Sequence, residues 1–147
     1  MKDNSVDITV TDIPYGVVNR KSNGLRNLDK QDADIFNLDM GELLTEIKRV
    51  TTGQIIIFCG KEQFSEIFAF FAKEKGTTRP LIWEKTNPSP MNGQHVYLSG
   101  VEFAVWFKPR GRKVFNAFCK NTVFRHSSGQ RKIHPTQKMW SFSKKLY

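Results

Sequence analysis

The 147-residue sequence has little cysteine, no apolar run long enough to span a membrane, no glycine-rich repeat and, after Glu102, no acidic residue at all. Each absence excludes something. Its two cysteines, Cys59 at the end of an apolar run and Cys119 beside Phe118, lack metal-type spacing and read as small hydrophobes, so neither a disulfide nor a metal centre is expected. His95 and His126 have no companions that suggest a metal either. The longest apolar stretch falls well short of the roughly 20 residues of a spanning helix, and Met1-Lys2-Asp3-Asn4-Ser5 is not an apolar signal region. A cytoplasmic location is the expectation. None of the ten glycines falls in a G-x-G-x-x-G pattern, so the sequence carries no dinucleotide fingerprint.

What the chain does have is a strongly one-sided charge. Residues 1–102 carry twelve Lys and Arg against fourteen Asp and Glu, whereas residues 103–147 carry eleven Lys and Arg and no acid, so the net charge of +9 comes from the last third. Lys108, Arg110, Arg112, Lys113, Lys120, Arg125, Arg131 and Lys132 make the segment 108–132 a candidate polyanion-binding surface with salt-dependent affinity. A solvated basic face is the plain alternative for such a run.

The length suits one domain with a real core, here residues 1–147. Val6 to Thr11 alternates and is β-branched, which predicts a strand, and Pro14 cannot donate to a ladder, so that strand ends at Asp12-Ile13-Pro14-Tyr15-Gly16. Residues 16–34 are polar with Asn23-Gly24 inside and predict a flexible loop. Asp39 caps a predicted helix over 40–50, Gln54 to Cys59 reads as a buried strand, and Phe64, Ile67, Phe68 and Phe71 fall on one face of a helix predicted over 62–75. Leu81 to Lys85 and Val101 to Phe107 are strand-like with only a Pro/Gly loop between them, which predicts an antiparallel hairpin. A further extended segment is expected within 114–124, and a helix from Met139. The class is α/β, a mostly parallel sheet that finishes in an antiparallel hairpin.

Asp12, Pro14 and Tyr15 place a carboxylate, a carbonyl and an aromatic face within four residues, a set suited to a planar ring bearing an exocyclic amine. Asp12-Ile13-Pro14-Tyr15 resembles the Asp-Pro-Pro-Tyr motif of the DNA amino-methyltransferases, which methylate adenine N6 or cytosine N4 with S-adenosylmethionine. His134-Pro135-Thr136-Gln137-Lys138 resembles the second motif of the same family, about 120 residues away, and the runs from Leu81 and Glu102 look like its late strands. The resemblance covers nearly the whole chain and identifies it with the permuted subgroup, in which Asp-Pro-Pro-Tyr precedes His-Pro-Thr-Gln-Lys. Ile13 departs from the pattern by replacing the first Pro, while the carbonyl the family uses belongs to the second, here Pro14.

The resemblance implies half of a methyltransferase-type Rossmann-like sheet, with Asp12, Pro14 and Tyr15 catalytic. Thr136, Gln137 and Lys138 then face the amino-acid end of S-adenosylmethionine. Trp83, Lys85 and Asn87 lie near a strand end on the site side of the sheet, and together with Lys108, Arg110, Arg112, Arg125 and Arg131 they are the expected contacts to double-stranded DNA. A base would leave the duplex to stack on Tyr15. In this subgroup a Phe-x-Gly-x-Gly loop follows the second motif. No such pattern occurs in residues 1–147, so cofactor binding is expected to need a further segment, from a second polypeptide or by self-association. A non-catalytic DNA-binding remnant is the competing reading. Both motifs serve either amine, so adenine and cytosine stay open.

Overall fold

Ile55–Cys59 is apolar at every position and becomes β2, a strand with all five residues buried. The computed structural model describes residues 1–14, 39–90, 93–111 and 120–128. Tyr15, the 16–34 loop, Arg112, Lys113, Cys119, the segment from Gly129 onward with Arg131, Lys132 and the His134 to Lys138 motif, and the helix expected from Met139 all lie outside the described residues.

The described chain runs β1 (Thr9–Asp12), α1 (Met40–Val50), β2, α2 (Lys61–Ala72), β3 (Gly76–Lys85), β4 (Val101–Pro109) and β5 (Val123–His126). These strands form one sheet in the order β1-β2-β4-β3-β5. β1 pairs parallel with β2, and β3 parallel with β5, while β4 pairs antiparallel with both β2 and β3. Four strands therefore point one way and β4 alone runs against them. The hairpin expected from the Pro/Gly loop is present as β3–β4, and β5 adds one further strand outside it.

Helix α1 covers the predicted residues, and Asp39 caps it by accepting from Glu42 N–H at 2.9 Å. Helix α2 stops at Ala72, three residues before the predicted end, because β3 starts at Gly76 rather than Leu81. The earlier start places Pro80 inside the strand. It is tolerated because β5 pairs only with Ile82–Lys85, so at Pro80 the strand is an edge and its missing N–H faces no partner strand.

Both helices lie on one face of the sheet. Leu44 of α1 and Ile67 and Phe71 of α2 pack against Ile55, Ile57, Cys59, Val105 and Phe107, and the Phe71 ring stacks on Phe107 at 4.9 Å between centroids. Such fully buried side chains contribute about 1.5 to 3 kcal/mol each. Ile56, Phe58, Leu81, Trp83 and Ala104 form a second buried cluster on the other face. Having helices on one side for both β1-α1-β2 and β2-α2-β3 is what two right-handed crossovers in the same direction produce.

Candidate active site

The C-terminal ends of β1, β2, β3 and β5 share one edge of the sheet, the position where α/β sheets bind ligands. Asp12 ends β1 there, in register with Phe58, and is exposed. The ladder continues one residue further, since Ile13 N–H donates to Phe58 O at 3.2 Å, and the Ile13 side chain is buried in the helix-side core. The turn is thereby pinned on both sides of its backbone. Pro14 follows, and its carbonyl accepts from Gln63 Nε2 at 2.9 Å.

Gln63 belongs to the first turn of α2, and its Oε1 accepts from Gly60 N–H at 2.9 Å. One side chain thus joins the start of α2 to the turn after β1. The sequence patterns did not single out Gln63. Its signal was a Gln three residues after the helix-starting Gly60, the spacing of a capping box, which announces a helix start but not a link to Pro14.

Other expected site residues reach the same edge with their groups already engaged. Trp83 is buried, 3% exposed, and donates its indole N–H to His126 O at 3.0 Å. Lys85 pairs with Glu102 at 2.8 Å and lies 5.7 Å from the Trp83 ring centroid. Arg125 pairs with Glu84 at 3.1 Å across β3 and β5. Asn87 acts like an extra strand residue: its Nδ2 donates to Ser128 O at 3.0 Å and its Oδ1 accepts from Ser128 N–H at 2.7 Å. Each holds the edge together.

Lys108 and Arg110 lie away from this edge. They belong to the segment 108–132 expected to contact DNA; β4 runs antiparallel, so its end at Pro109 lies at the edge opposite Asp12, beside Gly76. Lys108 is four strand residues beyond Ala104, the register partner of Phe58, a distance of about 13 Å along the strand. Of the described basic residues proposed for DNA, only Lys85 and Arg125 share the Asp12 edge. Among the described residues no cluster of His, Cys, Asp and Glu could hold a metal, and no helix is long and apolar enough to cross a membrane.

This geometry suits an amine-bearing ring: a carboxylate and a fixed carbonyl, two residues apart at a strand end. Residues 6–146 match the family model described as DNA methylase. Among solved structures, the chain is similar to the M1.HpyAVI–SAM complex, with 28% identity and a TM-score of 0.65 over 97% of this chain and 65% of that one. It is also similar in fold to M1.HpyAVI, with 23% identity and a TM-score of 0.55 over 83% of this chain and 55% of the other. The chain therefore spans less than two thirds of the length of either. No curated protein sequence matches it. With a family match over residues 6–146, nearly its whole length, the chain belongs to the DNA methylase family.

Proposed function

We propose that this chain provides the amine-binding half of an S-adenosylmethionine-dependent DNA methyltransferase, acting on the exocyclic nitrogen of an adenine or cytosine turned out of the duplex. The observation that carries this reading is the turn after β1, where Asp12 is exposed and the Pro14 carbonyl is held in place by Gln63. An aromatic amine is a poor nucleophile because its lone pair is delocalised into the ring. If Asp12 and Pro14 O each accept one N–H, the nitrogen is drawn toward tetrahedral geometry and its lone pair is directed out of the ring plane. Two fixed acceptors also stabilise the positive charge that grows on nitrogen, and such preorganised dipoles lower barriers by several kcal/mol. The proton then leaves through Asp12. Tyr15 stacks on the base, worth roughly 1 to 3 kcal/mol.

The donor set fits a methyl-transfer cofactor, since it offers two acceptors for an amine and needs an electrophile from elsewhere. S-adenosylmethionine supplies that electrophilic methyl. Thr136, Gln137 and Lys138 hold its amino-acid end, with Lys138 suited to the carboxylate. A glycine-rich segment, on the same or a second polypeptide, would hold the rest. Double-stranded DNA is the substrate, drawn by the basic last third.

Transfer of labelled methyl groups to duplex DNA, with a glycine-rich segment supplied, tests the reading. Asp12→Ala is expected to abolish transfer while leaving folding and DNA binding nearly intact. Wild-type rates in the variant would make the turn structural only. A DNA-binding protein without catalysis would transfer no label in either form.

A further inference from the structure

The geometry points to Gln63 as a positioning residue for the proposed reaction: its side-chain amide aims the Pro14 carbonyl at the target amine. This rests on the amine-binding reading above. The amide makes two bonds of opposite sense, Oε1 accepting from Gly60 N–H and Nε2 donating to Pro14 O, each at 2.9 Å. A backbone N–H can only donate and a carbonyl can only accept, so one amide orientation alone satisfies both. The link therefore has a defined polarity.

Its effect follows from what it ties together. Ile13 N–H is held by Phe58 O, one residue before Pro14, and Gly60 lies two residues after Phe58 at the start of α2. The turn is therefore fastened to β2 through backbone and to α2 through Gln63. A carbonyl oxygen has two lone pairs; Gln63 takes one and so fixes the direction of the other, which serves the incoming N–H. Without the link, Pro14 O is held only by its own backbone torsions. A methyl transfer that depends on the angle between lone pair and methyl group is sensitive to that loss.

Two substitutions separate aiming from helix capping. Gln63→Glu keeps an acceptor for Gly60 N–H, and an acid in the first turn favours the helix dipole, but it sets a carboxylate oxygen against the Pro14 carbonyl. Gln63→Lys does the reverse, keeping a donor for Pro14 O and losing the cap. The probes are two single-stranded oligonucleotides of one sequence. One carries ordinary adenine and cytosine, the other N6-dimethyladenine and N4-dimethylcytosine, which have no amine N–H. Binding of each to the full 147-residue chain is followed by NMR titration, with thermal unfolding measured for every variant.

The wild-type chain is expected to prefer the ordinary oligonucleotide by about a hundredfold, the worth of two good hydrogen bonds, one to Asp12 and one to Pro14 O. Gln63→Glu is expected to unfold at or above the wild-type temperature yet lose about tenfold of that preference, the share of the Pro14 bond, while keeping the share of Asp12. Gln63→Lys is expected to unfold earlier and keep most of the preference. A preference undiminished in Gln63→Glu, or diminished only in Gln63→Lys, overturns the assignment and leaves the amine-binding reading standing. No preference in the wild-type chain overturns both.

Discussion

Ile13 sits between the two acceptors of the turn, with its side chain in the core and its N–H bonded to Phe58 O. That explains how the chain departs from Asp-Pro-Pro-Tyr without losing the shape of the turn. Replacing Ile13 with Pro would restore the family pattern but remove the N–H. Two effects then compete. A proline at a compatible position stabilises by about 0.4 to 1 kcal/mol through the unfolded chain, whereas a buried carbonyl left without its donor costs about 1 to 3 kcal/mol. The lost hydrogen bond outweighs the gain, so Ile13→Pro is expected to lower stability in urea unfolding by roughly 1 to 2 kcal/mol. A variant as stable as wild type would show that Phe58 O finds another donor. The same residue illustrates what a motif conceals: Asp12 and Pro14 were legible as acceptors, while the anchoring role of Ile13 follows only from the strand next to it.

The elements of this sheet are bounded by close contacts that propensity alone does not reveal. Strand β3 starts at Gly76, where a Cβ would run into the carbonyl of Lys108 and the ring of Phe107. Gly76→Ala must push the β3–β4 pairing apart or displace Phe107 from its stack on Phe71. Overpacking of that kind costs about 1 to 3 kcal/mol, and a matching fall in the urea midpoint is the expected result. An unchanged midpoint would mean that β4 yields without loss. Helix α1 and strand β2 were readable to within a residue because a cap and a uniform apolar run are local signals. The early part of β3 was not. Pro80 argues against a central strand, and only the neighbours show that this stretch is an edge.

At the scale of the whole molecule, charge and topology must be read together. The basic last third is expected to bind duplex DNA weakly and without sequence preference. With six to ten phosphate contacts, affinity falls by roughly 10³ to 10⁵ between 50 and 200 mM salt. Lys108 and Arg110 lie at the edge opposite Asp12, so a Lys108→Ala/Arg110→Ala variant should leave the salt slope unchanged for DNA held at the site. A drop of about 1.8 in that slope, the share of two phosphate contacts, would place DNA across both edges. Cofactor affinity belongs to this scale too. In the proposed reading Thr136, Gln137 and Lys138 would address only one end of S-adenosylmethionine, and an exposed ion pair contributes about 0 to 1 kcal/mol against the roughly 8 kcal/mol of micromolar binding. Titration calorimetry on the 147-residue chain should therefore show no micromolar binding, and finding it would mean that the chain holds more of the cofactor than these residues.

The sequence by itself determined the strand that stops at Asp12, the cap and faces of the two helices, the β3–β4 hairpin and the chemistry of two acceptors beside an aromatic ring. These are written in short-range patterns: alternation, helical spacing, a proline that cannot donate. Tertiary structure alone decided which of the proposed contacts meet. Reversal of β4 carried Lys108 and Arg110 away from the site, although they are close in sequence to the rest of the basic segment. The start of α2, which follows β2, the strand paired with β1, brought Gln63 to Pro14 across 49 residues. Direction of a strand and packing of a helix depend on partners distant in the chain, and no local pattern encodes them.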